Sequence, residues 1–243
     1  MTPWKQALER QLAAPDSPPV LSLAALARAA ANARGSVVPD STLHALIKDA
    51  IARNRLAPVI RGLYLNYFTS LPGRLADAVP HLRRDAVVSL HSALDEAGAY
   101  NNPPVGVTAI VPLDPGPWRP LVGRIETAQG PVHVRSMPRK MLEAGELEDR
   151  LDLARSVAHP HATPEKALLD WLYLAASPRS TLAPPAPHDV DLDVLKGARL
   201  NRLARRMGLA DVLQRWRAGQ FLVRRERHAG ARPGRRPGGP TSP

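Results

Sequence analysis

Three groups of residues have types and spacings that chemistry can use. The first is a run of small polar and basic side chains: Ser41, Thr42, Ala45, Lys48, Arg53 and Arg61. Hydroxyls hydrogen-bond to base edges or phosphates, an alanine methyl meets a thymine methyl, and Lys and Arg neutralise phosphate. The second is Glu165-Lys166 followed by Asp170, the residue types with which nucleases hold metal and activate water. Neighbours on a helix point about 100° apart, so Glu165 and Lys166 do not converge on one ion. The third is His159-Pro160-His161, a pair with no third ligand at a useful spacing. The absence of cysteine removes disulfides, thiolate zinc sites and cysteine nucleophiles together. The sequence therefore offers phosphate and base contact, and we expect no catalytic residue, metal site or cofactor.

The elements that must carry the first group lie near the amino terminus. Thr2 and Pro3 start a helix whose stripe is Trp4, Ala7, Leu8 and Leu12. The run Pro15-Asp16-Ser17-Pro18-Pro19 ends it, and Ser22 caps a second helix with Leu23, Leu26, Ala27 and Ala30 inward. Asp40 or Ser41 caps a third, in which Leu43, Leu46, Ile47, Ala50 and Ile51 recur at helical spacing. On that wheel Ser41, Ala45, Lys48 and Ala52 face outward, Thr42 and Asp49 flank them on one side, and His44 on the other. Asp49 would repel phosphate unless paired, and Arg53 at i+4 can pair it. Two extended runs, Leu56 to Ile60 and Leu63 to Phe68, then form a hairpin around Arg61-Gly62. Three helices and a basic-tipped hairpin make a winged helix-turn-helix, whose third helix enters the major groove.

Downstream the pattern changes to mixed strands and helices. Ala86 to Leu90 reads as a strand leading into a helix from Ser92 to Ala97, stopped by Gly98. Val105 to Leu113 is a strand, and Leu121 to Thr127 pairs with Pro131 to Arg135 across Gly130. Thr163-Pro164-Glu165 opens a helix that is apolar nearly all round and should be a buried hub. Pro184 to Pro187 is a stiff connector to a helix spanning Leu192 to Met207 and carrying Arg199, Arg202, Arg205 and Arg206; a short helix through Trp216 follows. The expected fold class is α+β: a winged helix over 1–70, an α/β domain with carboxyl-terminal helices over 81–223, and a disordered basic tail over 224–243. Residues 69–73 carry the turn types of a boundary.

The net charge of +11 is concentrated at the two ends. Residues 1–80 hold nine basic and five acidic side chains, residues 81–223 hold 18 and 16, and the tail six and one. A basic end on a small helical unit suits a polyanion. The start has no apolar leader core, and no run approaches about 18 apolar residues, so we expect a cytoplasmic protein with no membrane partner.

Four segments, in order, carry a resemblance to a known family. They are Arg61-Gly62-Leu63-Tyr64, Val88 to Leu94 with Gly98 following, Thr108 to Val111 with a strand pair around Gly130, and Thr163 to Asp170. In these the chain resembles the AbiEi antitoxins across about residues 20–215, the last segment being similar to that family's "PEKALLD" helix. The resemblance implies an autorepressor that binds double-stranded DNA at its own promoter through the winged helix. It also implies a nucleotidyltransferase-like toxin as partner, countered by the carboxyl-terminal part, in a phage-defence toxin–antitoxin system. A stand-alone regulator, a nuclease and a protein adaptor are the alternatives.

Overall fold

The computed structural model describes residues 2–102, 104–117, 120–144, 160–178 and 180–221; His159 and the basic tail lie outside them. The architecture is mixed α+β, with two sheets. The amino-terminal elements are α1 (Pro3–Leu12), β1 (Val20–Ser22), α2 (Leu23–Arg34), α3 (Asp40–Ala52), β2 (Leu56–Ile60) and β3 (Leu63–Asn66). Ser22 caps α2 by accepting from the Ala25 amide at 3.1 Å, and Gly35 closes it at φ +75°. Helix α3 begins one turn position early. Pro39 is its N-cap, which places Asp40 in the first turn, near the positive end of the dipole.

Strand β1 is a departure from the sequence reading, which placed no strand between the run over residues 15–19 and the Ser22 cap. It adds to the hairpin in the order β1-β3-β2, with Val20 opposite Leu65 and Ser22 opposite Leu63. The hairpin also ends sooner than expected, at Asn66 rather than Phe68. Asn66 is fully buried, and its side-chain amide donates to Leu12 O at 3.0 Å, Pro18 O at 3.1 Å and Ser17 Oγ at 3.1 Å. Its Oδ1 accepts from the Phe68 amide at 3.0 Å. One side chain thus satisfies the end of α1 and the loop after it, where apolar packing alone would strand carbonyls.

The remaining elements begin with a 3₁₀ turn (Leu75–Ala78) and α4 (Val79–Leu82). Then come β4 (Val87–Val88), α5 (His91–Glu96), β5 (Val107–Leu113), β6 (Gly123–Ile125), β7 (Val132–Pro138) and α6 (Arg139–Leu142). Helices α7 (Pro164–Ala176), α8 (Gly197–Arg206) and α9 (Ala210–Arg217) follow. The expected pair across Gly130 is present as antiparallel β6–β7. Strand β7 also runs parallel to β5 along seven residues, so the second sheet is mixed, in the order β4-β5-β7-β6.

Alternation along β5 sends Ile110 to one face and Ala109 and Val111 to the other. The Ile110 face meets α5, α7, α8 and α9; the other face meets Leu75, Val79 and Leu82. Leu75 and Leu82 also pack against Val20, Val59, Leu63 and Leu65 of the first sheet. Residues 75–82 are therefore packed from both sides. The loop after β6 reinforces this, with the Ala128 amide donating to Val59 O and Gln129 Nε2 to Pro58 O, both at 2.9 Å.

Helix α7 is the hub of the larger core. Thr163 Oγ1 accepts from the Lys166 amide, Pro164 takes the first position, and Ala167, Leu168, Leu169 and Leu172 are completely covered. The proline stretch is tied to this core by two indoles: Trp171 Nε1 donates to Ala183 O and Trp216 Nε1 to Pro185 O. Helix α8 starts only at Gly197, so Leu192 and Leu195 precede it instead of lying within it.

Gly73 tests how tightly the Asn66 region is built. Its amide donates to Asn66 O at 2.9 Å, and a Cβ there would lie 2.1 Å from Pro19 O. Gly73→Ala and Asn66→Ala should each cost about 2–4 kcal/mol in urea unfolding. Gly35→Ala meets nothing within 4 Å and should cost only about 1 kcal/mol, for its left-handed backbone. Equal losses for the three would contradict this packing.

Candidate nucleic-acid interface

The outward face of α3 is where the wheel placed it. Leu43, Ile47 and Ala50 are buried, whereas Ser41, His44, Ala45 and Lys48 are exposed and Thr42 is half-buried. Ser41, Thr42 and Ala45 line one shallow groove together with Leu46, Asp49 and Lys5 of α1. Lys5 was not anticipated. Its own helix gives no sign that it lies beside α3, because that proximity is set by the fold of the intervening forty residues.

The basic residues separate into two kinds. Lys48 and Arg61 are exposed and make no ion pair among the described residues. Arg61 sits at the β2–β3 turn, whose Gly62 at φ +80° offers its carbonyl to the Leu23 amide at 2.8 Å. Arg53 is occupied differently: Nη2 lies 2.7 Å from both Glu9 Oε1 and Asp49 Oδ2. The i,i+4 partner is the one the spacing allowed, and the bond to α1 is additional. Glu9, then burial opposing it, then Asp49 set the guanidinium's affinity for its proton, with the net effect upward. Arg53 joins α1 to α3, its half-exposed guanidinium shared between two carboxylates.

The other chemistry-bearing residues are inside. Glu165, Lys166 and Asp170 are 2%, 4% and 0% exposed. Lys166 Nζ pairs with Asp170 Oδ1, and Ser89 Oγ donates to Asp170 Oδ2 at 2.8 Å. Burial pushes the Asp170 carboxyl above its ordinary range, against the pull of Lys166 and Ser89. Thr108 extends the network, its hydroxyl donating to Ser89 O at 2.7 Å and its amide to Ser92 Oγ at 2.8 Å. These bonds fix Leu90, a buried residue held at φ +57°, a backbone that bulky side chains adopt only under constraint. Glu165 Oε1 accepts from the Lys196 amide at 2.7 Å and so anchors the approach to α8. His161 Nε2 lies 2.5 Å from Glu96 Oε2, and Arg74 pairs with the same carboxylate. The His161 hydrogen bond is the main reason that the Glu96 carboxyl is pulled down to about 2.

Of the arginines on α8, Arg199 lies 3.9 Å from Glu165 and Arg206 donates to Ala144 O at 3.2 Å. Among the described residues no group of three or more His, Cys, Asp or Glu is arranged to hold a metal, and no helix is long and apolar enough to cross a membrane.

No family model matches the chain, and no curated protein matches it. Among solved structures it is similar to the RV2827C protein from Mycobacterium tuberculosis, known from a crystal structure. The TM-score is 0.48 and the identity 16%, over 91% of this chain and 83% of that one. That degree of likeness assigns no function.

A half-buried histidine beside this network gives a pH signature. His91 begins α5 with its ring 5.5 Å from that of Trp171. Burial, then His133 and Arg135, lowers its pKa from 6.5 to about 4. The unfolded chain therefore takes up a proton that the folded chain resists, and stability falls as pH drops from about 6.5 towards about 4. His91→Gln should shrink the shift in urea midpoint between pH 7.5 and pH 5. An unchanged shift would show that His91 carries no part of the linkage.

Proposed function

We propose that the chain is a DNA-binding transcriptional autorepressor, built on an amino-terminal winged helix-turn-helix, that serves as antitoxin to a nucleotidyltransferase-like toxin. The observation that carries the first half is the outer face of α3. Ser41, Thr42, Ala45 and Lys48 lie together on it, above a helix whose inner face is buried. The order helix, strand, helix, helix, hairpin, with β1 added to the hairpin, supports the winged-helix reading. In that arrangement the start of α3 meets base edges, Lys48 meets phosphate, and Arg61 at the hairpin tip meets backbone or minor groove. Arg53 supports the helix instead of touching the ligand.

The antitoxin half rests on the AbiEi resemblance. Three of the four resembling segments are joined by two hydrogen bonds, Ser89 to Asp170 and Thr108 to Ser89. Residues recurring in such positions preserve a fold, and they argue for a shared scaffold in the carboxyl-terminal part. Glu165, Lys166 and Asp170 are covered and internally bonded, which favours a structural role for them over a nuclease site.

The test is a salt-resolved gel-shift titration on the chain's own promoter. Log affinity should fall linearly with log salt. Lys48→Ala and Arg61→Ala should each weaken binding and reduce the slope by about one. Arg53→Gln should also weaken binding, because it leaves Asp49 without its ion-pair partner on the same face. Identical titrations for all four proteins would defeat the proposed interface. The antitoxin half is tested by growth rescue on co-expression with a toxic nucleotidyltransferase-like protein encoded beside it, and absence of rescue would leave the repressor alone.

A further inference from the structure

Behind the proposed reading face lies a cavity of about 340 Å³ between α1 and α3. That is within the size range of small-molecule sites. Its walls are apolar: Leu8 and Leu12 from α1, Leu46, Ile47 and Ala50 from α3, and Phe68 beyond the hairpin. Helix α1 packs chiefly on α2, and the Arg53–Glu9 pair spans from α1 to the end of α3 beside this opening. Four charged residues line the cavity: Lys5, Glu9, Asp49 and Arg53.

Those charges are unequal in what they need. Arg53 already serves both carboxylates at 2.7 Å. Among the described residues Lys5 has no ion pair; its ammonium lies 5.9 Å from the Trp4 ring. Lys5 also lines the groove shared with Ser41, Thr42 and Ala45, so it stands where cavity and groove meet. A ligand matching this site has an apolar body for the Leu, Ile and Phe walls and an anionic head for Lys5. We propose that the cavity between α1 and α3 binds a small aliphatic or aromatic carboxylate, its body within the cavity and its head on Lys5. The α3 wall couples the occupant to the outer face of the same helix. The site itself stands whether or not that face reads DNA.

The experiment is calorimetric titration of the full chain, without DNA, using octanoate, octanol and octylamine. Octanoate should bind saturably at one site and more tightly than octanol or octylamine. Lys5→Met keeps the apolar stem and removes the charge. It should weaken octanoate by about threefold to tenfold, leaving it close to octanol. Leu46→Trp fills the cavity and should abolish binding of both octanoate and octanol while circular dichroism stays unchanged. No saturable octanoate binding, equal binding by octylamine, or an undiminished octanoate affinity in Lys5→Met would overturn the proposal. The Lys5 variant decides the matter even if Leu46→Trp proves unstable, because Lys5 is a partly exposed residue outside the buried core.

Discussion

A fully buried carboxylate organises the larger part of this molecule. Asp170 has no exposed surface, and removing such a group from water costs several kcal/mol unless it is bonded on every side. Here Lys166 takes one oxygen and Ser89 the other, and Thr108 secures Ser89 in turn. The lysine is on the same helix, the serine leads into α5, and the threonine is on β5. Moving the turn before α5, or β5, would strip hydrogen bonds from this network, whereas Lys166 stays with Asp170 on its own helix. The strained backbone at Leu90 is acceptable for the same reason, since hydrogen bonds on both sides of it and its own burial determine that turn.

The amino-terminal part depends on an uncharged counterpart, Asn66. By satisfying the end of α1 and the loop before β1, it holds α1 against the small sheet. Arg53 then ties α1 to α3 through Glu9, one turn before Leu12. The two ties leave space between the helices, which is the cavity, and keep the outer face of α3 clear. The same geometry accounts for both proposals: a helix displayed to solvent on one side and lined by an unfilled apolar space on the other. Residues 75–82 lie between the two sheets and touch both cores, so the first sheet rests on the larger part of the molecule.

Local signals in the sequence were legible. Thr163-Pro164-Glu165 ahead of an apolar run marks a helix start by capping, fixed φ and dipole, and α7 starts there. The periodicity of Leu43, Ile47 and Ala50 assigns the inner face of α3 and hence, by elimination, the outer one. Signals that depend on distant partners were not legible. Three residues, Val20 to Ser22, are too few for alternation to register, and they become a strand only because β3 offers an edge. The parallel run of β7 beside β5 is set by packing under α7, not by its own sequence. The bond from Arg53 to Glu9 was not legible because the two are 44 positions apart. Lys5 went unnoticed for the same reason.

The central claim is that the amino-terminal half of α3 lies against base edges in a groove of DNA. A photoreactive side chain substituted at Ala45 measures this directly, because the position is exposed and flanked by the small residues Ser41 and Thr42. Irradiated with promoter DNA, it should crosslink to bases within one short stretch, and excess competitor of the same sequence should suppress the product. The same group placed at Asn201, exposed on α8, should give little crosslinking. Crosslinking from position 201 and none from position 45 would contradict the account.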